Sequence, residues 1–548
     1  MNAQSRFSIR KRLALAGILA GGVAVLPGCG IPKLKHADAP PSLPDTFKGA
    51  TTKDNSAQLR VDEFYNDATL TKLIQQGLEN NRELAILNQE VQIARNDILA
   101  RRGAYLPFLT VGAGAGTDKP SAFTRAGALD SQLNIIPGQE NPNPLSNYGL
   151  GVNVFWELDI WRKLRNARDA AQQRYIAAAE RRNYFVTKLI AEIAENYYGL
   201  MALDQRMENL NNTIKLQQDS LDIAKAKMDA GRGTVLAVQR FQAEVRKNES
   251  EKLIVQQDII ETENRINFLL NRYPEPVTRD GSKFLDMNLR ALSVGVPSQL
   301  LQNRPDIRQA ERELVAAGLD IQVARAQFFP TLTLNGGVGY EAFNPRYIFR
   351  PEAIAANVVG NLAAPLLNKA AIKADYMNAN ARQLEAVYNY QRTVVNAFTE
   401  VINRVAMVDN YGKSVAVKKQ QLESLLASVE SANKLFQNAR VEYIEVLFAQ
   451  RDMMDARMVL IDTKRQQLAA VVNAYQALGG GDLFSRLDTE AGGCRGPRDV
   501  QLGQPFAAEA TGAPTDVVLS GALSVPTPPA AEHAPTRVLL ETPTFPSP

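Results

Sequence analysis

At 548 residues, 45% hydrophobic and 22% charged, the chain has the composition of a folded protein with room for several domains. A net charge of +4 over that length gives no reason to expect a nucleic-acid partner. The two histidines, His36 and His533, and the two cysteines, Cys29 and Cys494, lie towards the ends, which excludes a His-based catalytic or zinc site in the core and a disulfide framework.

Residues 1–28 read as a targeting segment. Arg6, Arg10, Lys11 and Arg12 form a basic start, and Leu13–Leu26 is an apolar run too short for a retained membrane helix but suited to a secretory signal. It closes on "LPGC", Leu26–Cys29, which resembles a bacterial lipobox, where cleavage leaves the cysteine as a lipid-bearing N-terminus. Pro27 departs from the small or branched residue usual there, and the alternative is a plain signal peptide with an incidental Cys29. Gly30, in place of an aspartate, directs such a lipoprotein to the outer membrane. No cofactor is expected beyond that covalent lipid. Residues 29–60, rich in Pro, Lys and Asp, read as an extended linker.

The chain then repeats, giving two units at 61–290 and 291–481. "LENNREL" (Leu78–Leu84) echoes "LQNRPDI" (Leu301–Ile307), and Pro107 matches Pro330, 223 positions on. "SLDIAKAKMDAG" (Ser220–Gly231) matches "SVESANKLFQNA" (Ser428–Ala439), 208 positions on. The difference of 15 fits a longer loop, 117–147, in the first copy than its counterpart at 341–355 in the second. Each copy reads helix, strand, loop, strand, very long helix, tight turn, helix. Heptad spacing in the long helices (Ile193, Tyr197, Leu200, Leu203, Met207, Leu210; Val394, Phe398, Val401, Val405, Val408) predicts coiled-coil packing over about Leu158–Ala230 and Leu366–Asn438. At about 1.5 Å per residue each helix would run about 100 Å. "LGGG" (Leu478–Gly481) stops the last helix, and 482–548, rich in Pro and Ala, read as a mostly disordered tail.

The strands alternate apolar residues with small or polar ones. Leu109, Val111, Ala113 and Ala115 oppose Thr110, Gly112, Gly114 and Gly116. Tyr148, Leu150, Val152, Val154 and Trp156 oppose Gly149, Gly151, Asn153 and Phe155, while Leu332, Leu334, Val338 and Tyr340 oppose Thr331, Thr333, Asn335, Gly337 and Gly339. A fourth strand, near Asn357–Ala364, alternates poorly. Strand by strand, an outer-membrane barrel with a wet lumen and a half-exposed ordinary sheet fit equally well. Closure separates them: four strands cannot make a barrel and an open edge cannot face lipid, so a membrane sheet predicts an oligomer.

"FWELDIW" (Phe155–Trp161), "PSQLLQNRPDIRQAE" (Pro297–Glu311), "ARAQFFPTLTL" (Ala324–Leu334) and "YQALGGG" (Tyr475–Gly481) together resemble the TolC-like outer-membrane factors, in particular the NodT/OprM-type efflux lipoproteins, over about residues 60–481. The resemblance implies an α+β membrane protein. Its homotrimer would form a twelve-stranded β-barrel, four strands per chain, continuing into a long periplasmic α-helical barrel. It implies no enzymatic activity and no metal. It implies a passive exit duct for drugs or other small molecules, partnered by a periplasmic adaptor (membrane fusion) protein and an inner-membrane pump of RND type. It places the periplasmic mouth at "DAGRGTVLAVQ" (Asp229–Gln239) and "NARVEYIEVLFAQ" (Asn438–Gln450), where Gly231, Arg232, Gly233, Arg440 and Val441 would meet the adaptor. The usual turn glycine is kept at Gly231 and replaced by Ala439 in the second copy.

The matching aperture positions are Glu445 and Phe448. Three copies of Glu445 would repel one another and attract cations, and three Phe448 rings would make an apolar constriction. The plainer readings are a solvated Glu445 and a Phe448 packed in the hairpin. Asp452 and Asp455 read as solvated, and Trp156 and Trp161 as interface aromatics or packing beneath the sheet. Arg304 and Asp306, either side of Pro305, read as a helix-start cluster. An exit duct for type I protein secretion or heavy-metal efflux, and a pore-free coiled-coil scaffold, are the competing functions.

Overall fold

The computed structural model describes residues 31–37, 43–47 and 54–481, apart from 131, 135–136, 283, 290–292, 366–368 and 439. Two short helices, α1 (Val61–Tyr65) and α2 (Ala68–Asn80), lead into α3 (Arg82–Gly103). Strand β1 (Phe108–Asp118), a loop with α4 (Arg125–Asp130) and β2 (Leu145–Leu158) follow, then α5 (Lys163–Asp229) and α6 (Val235–Leu269). The second half has the same order: α7 (Leu300–Asn303), α8 (Pro305–Ala326), β3 (Thr331–Ala342), β4 (Ile354–Ala363), α9 (Ala370–Gln437) and α10 (Tyr443–Ala477). Matching helices have almost the same length: 22 and 22 residues for α3 and α8, 67 and 68 for α5 and α9, 35 and 35 for α6 and α10. No helix among the described residues is long and apolar enough to cross a membrane.

The long helices start later than the heptads suggest. Strand β2 continues through Leu158, and the chain then turns with Arg162 in a left-handed conformation (φ 58°). Asp159 sets the start of α5: its carboxylate accepts from the backbone N–H groups of Leu164 (3.0 Å) and Arg165 (2.9 Å). Burial would raise the Asp159 pKa, but these bonds and the Arg165 guanidinium hold it below the usual carboxylate range. The second long helix begins at Ala370, and 366–368 lie outside the described residues.

Each half is tied at its waist by matching contacts. The Asn81 amide donates to the carbonyl of Leu269 at the end of α6 (2.9 Å), and the Arg304 guanidinium donates to the carbonyl of Ala477 at the end of α10 (2.8 Å). The donors are 223 positions apart (304 − 81) and the acceptors 208 (477 − 269), the two offsets seen in the sequence. Arg304 is 3% exposed and also pairs with Asp306 (3.0 and 2.8 Å) and with Glu400 of α9 (2.9 Å). Pro305 sits at the first helical position, where its missing N–H costs nothing, and Asp306 accepts from the Ile307 N–H (3.0 Å).

The largest apolar core lies at the same level. Leu70, Ile193, Tyr197, Leu200, Ile266, Leu468 and Val472 bring together α2, the middle of α5, the end of α6 and α10. Tyr475 stacks on Phe64 with ring centroids 4.0 Å apart and donates to the carbonyl of Leu59 (2.8 Å), so the end of α10 is locked against α1. Gly479 has φ +92° and a side chain there would meet the Asn303 carbonyl, which explains a glycine run at this point.

The described residues 31–37 form neither helix nor strand and are packed against the helices. Ile31 and Leu34 lie against Ile321, Ala324 and Tyr376, and Lys35 exchanges backbone hydrogen bonds with the Asn380 amide (2.9 and 3.1 Å). Further on, Phe47 stacks on Phe398 of α9 (5.4 Å). The signal segment 1–28, Cys29 and the tail 482–548 lie outside the described residues.

Candidate functional site: the sheet and the helical tip

The four strands form one antiparallel sheet in the order β1-β2-β3-β4. Its register carries the alternation across every strand. Val111 pairs with Val152, Val152 with Val338, and Val338 with Ala356. One face therefore holds Leu109, Leu150, Val154, Trp156, Leu334, Tyr340, Ile354, Val358 and Leu362. The other holds Thr110, Gly112, Asn153, Asn335, Gly337, Asn357 and Asn361. Strand β4 begins at Ile354, earlier than the sequence suggests, and its alternation is poor, as read from the sequence: Val359 lies on the glycine and asparagine face and Gly360 on the apolar one. Both outer strands are exposed along their whole length, with Val111 77% and Val358 84% exposed.

The two tryptophans bolt the sheet to the helices. The Trp156 indole N–H donates to the Tyr105 carbonyl (3.0 Å), in the turn before β1. The Trp161 N–H donates to the Pro330 carbonyl (2.7 Å), and its ring stacks on Phe329 (4.8 Å) in the turn before β3. Helix α8 ends at Ala326, short of Pro330, whose ring disfavours helical geometry at the residue before it.

At the far end of the helices lie the two turns. Gly231 takes φ +71°, with the Arg232 N–H bonded to the Lys227 carbonyl (2.8 Å), a Schellman-type close. Gly231, Arg232 and Gly233 are exposed, as is Arg440, while Val441 is half-buried. Ala439 lies outside the described residues. The structure brings the turns together through a contact with no local sequence signal. Lys227 Nζ donates to the Phe436 carbonyl (2.7 Å) and sits 3.5 Å from the centroid of the Phe436 ring. Below it, Leu221, Ala224, Phe241 and Leu447 form a small apolar core between the hairpins.

On α10, Val446 and Leu447 turn inward, while Glu445 and Phe448 are exposed; the Phe448 side chain stands out, at 49%. Asp452 and Asp455 are exposed too, so positions 445, 448, 452 and 455 follow a 3-4-3 spacing along one stripe. The inward face is partly polar. Gln450 is fully buried and donates to Ser220 Oγ (2.9 Å), and Asn248 donates to Gln217 Oε1 (2.7 Å). With Gln205, Asn209 and Thr213, these make a buried polar row along α5 that the apolar heptads alone did not reveal.

A sheet with one apolar and one small or polar face, joined directly to helices about 100 Å long, fits the architecture of an outer-membrane channel. The outer membrane efflux protein model matches residues 73–272 and again 296–480. The chain belongs to that family, whose members are transport channels. It is 27% identical over 421 residues to the cation efflux system protein CusC of Escherichia coli K12, covering 76% of this chain and 88% of CusC. It is 29% identical over 454 residues to the toluene efflux pump outer membrane protein TtgF of Pseudomonas putida, covering 80% and 88%. A membrane protein of Pseudomonas aeruginosa superposes with a TM-score of 0.74 at 25% identity, over 82% of this chain and 99% of that one. The Neisseria gonorrhoeae MtrE channel, solved in its open state, shares the fold with a TM-score of 0.71 at 23% identity, over 82% and 98%.

Proposed function

We propose that the protein is the exit duct of a tripartite efflux assembly, a homotrimer that passively conducts small molecules across the periplasm and outer membrane. The observation that carries this reading is an asymmetry between matching helices. Twenty-five of the 67 residues of α5 are buried, against eight of the 68 of α9, although both carry apolar heptads. Val395, Val417 and Leu426 of α9 stand exposed, as do both edges of the sheet. A second copy against α9, and β4 of one chain beside β1 of the next, would cover both. Three chains give twelve strands, with the apolar face to lipid and the glycine, threonine and asparagine face to the lumen.

The division into units at 61–290 and 291–481 is supported by the two stretches of family match and the equivalent Asn81 and Arg304 tethers. A lipid on Cys29 fits the placement of Ile31 and Leu34 beside Phe328, next to the helix-to-strand junction. In this reading the exposed turns at Gly231–Gly233 and Arg440–Val441 receive the periplasmic adaptor. Energy comes from an inner-membrane pump of RND type, and Glu445 and Phe448 ring the aperture. Cargo among the relatives is divided, with cations in the name of one and toluene in another.

Reconstitution in planar bilayers tests the duct. The expected record is discrete, cation-preferring conductance, with cation preference reduced in Glu445→Ala and mean conductance increased in Phe448→Ala. A protein that stays silent in wild-type and both variant forms would favour the pore-free scaffold.

A further inference from the structure

The glycine, threonine and asparagine face of the sheet is interrupted by one apolar row. Phe108 lies opposite Phe155, Phe155 opposite Asn335, and Asn335 opposite Val359, so these residues cross the whole sheet side by side. Phe108 is 65%, Phe155 49% and Val359 50% exposed, and Asn335 is exposed as well. Apart from Leu145 at the far end of β2, the strands place no other large apolar side chain on this face. The next row on one side is Thr110, Asn153, Gly337 and Asn357, and on the other Glu157, Thr333 and Asn361. Glu157 is itself held by Lys163 (2.5 Å). Single exposed apolar residues need no explanation, but a contiguous group on a polar face marks a contact surface.

We propose that this row is a binding step for small aromatic molecules passing through the barrel. The inference rests on the duct reading, which turns this face to the lumen. A second copy then meets the chain at the sheet edges and lipid meets the opposite face, so neither covers the row. Successive rows on one face are about 7 Å apart, which makes the apolar band one side chain high. It is too low to seat a helix, about 10 Å across, and suits a molecule of one or two rings. The aryl group lies edge-on or offset against Phe108 and Phe155, and the Asn335 amide meets one polar substituent. No charge lies in the row, so the contact is weak and non-ionic. Weak contact fits conduction, which needs entry to be favourable and exit to stay fast.

The test compares two thiol reagents on the full-length protein in lipid nanodiscs, one aromatic (benzyl methanethiosulfonate) and one cationic (trimethylammonium-ethyl methanethiosulfonate). In a Cys494→Ser background, Asn335→Cys reports on the row, Asn357→Cys on the polar row beside it and Leu334→Cys on the opposite face, each read by peptide mass. The ratio of aromatic to cationic rate should be about threefold to tenfold higher for Asn335→Cys than for Asn357→Cys, the worth of an added aromatic contact. Adding Phe108→Ser and Phe155→Ser should bring the two ratios level while leaving the cationic rates unchanged. Equal ratios in the parent proteins, or a preference that survives loss of both rings, would overturn the proposal. The cationic reagent should also modify Asn335→Cys and spare Leu334→Cys. Equal cationic rates at those two positions would overturn the assignment of faces and the duct reading with it. Unequal cationic rates without an aromatic preference would overturn the binding step alone.

Discussion

Arg304 gathers three elements through one buried guanidinium: Asp306 of its own helix start, Glu400 of α9 and the last carbonyl of α10. Its worth is best judged by what its removal leaves behind. Arg304→Ala would strand two carboxylates and a carbonyl at a site that is 3% exposed at the arginine, and losing one partner of a buried pair costs about 3–5 kcal/mol. Arg304→Lys keeps the charge but not the planar fork that meets Asp306 with two bonds, so it should recover less than half of that. Denaturant titration of the two variants checks both figures. Arg304 and Asp306 were legible from "NRPDI", because Pro at a helix start and an acid in the first turn are local signals. Glu400 and Ala477 were not, being 96 and 173 residues away.

Lys464 on α10 presents the opposite case, a buried cation that weakens the fold near neutral pH. Burial lowers its pKa first and the Lys419 charge adds to that; Asp286 opposes them, and the result is about 8 against an ordinary 10.5. Its ammonium keeps bonds to Gln467 (3.1 Å) and Asn288 (3.4 Å). The folded pKa lies below the unfolded one, so between about pH 8 and 10.5 unfolding takes up a proton. Stability attributable to this group therefore rises with pH through that window, and below pH 8 its cost is fully present. Lys464→Met should melt higher than wild type at pH 7, by roughly 1–2 kcal/mol in stability, with the gap closing towards pH 10. A gap that does not change with pH would assign the effect to packing.

Among the elements, what the sequence reveals follows from how local each constraint is. Period-2 alternation and heptads identify three strands and both long helices, because side-chain direction depends only on neighbours along the chain. Their ends are less visible. The "FWELDIW" run stays in the sheet through Leu158 because Glu157 and Leu158 pair with Thr333 and Leu332. Helix α5 waits for the left-handed turn at Arg162. Strand β4 starts at Ile354, ahead of the stretch its weak alternation suggests, because its first residues pair with Tyr340, Gly339 and Val338. The two turns after Asp229 and Gln437 carry local signals, yet the tie between them, Lys227 to Phe436, joins residues 209 apart. The buried row containing Gln217, Ser220, Asn248 and Gln450 is invisible in the sequence, since amides at heptad positions look like a solvated face until a third helix covers them. Helix α10 does this for α5, whereas α9 is covered beyond α8 and α10 only where residues 31–37 and Phe47 lie on it, and Val395, Val417 and Leu426 stay exposed.

The sheet has two edges with unpaired backbone, and β1 and β4 point in opposite directions, so a neighbouring copy can continue the antiparallel ladder from β4 to its own β1. Side-chain parity restricts how they meet. Val111 lies on the apolar face and so do Ala356, Val358 and Gly360, whereas Val359 lies on the other. In a Cys494→Ser background, Val111→Cys can be combined in turn with Ala356→Cys, Val358→Cys, Gly360→Cys and Val359→Cys. Disulfides form only where Cβ atoms approach to about 4 Å. Oxidation in membranes should therefore link one of the three apolar-face pairs into covalent trimers and leave the Val359 pair unlinked. If none of the apolar-face pairs links, β4 does not meet β1 of a second copy. If the products extend past the trimer as an open ladder, the edges meet without closing, and a twelve-stranded barrel is the wrong assembly for this sheet.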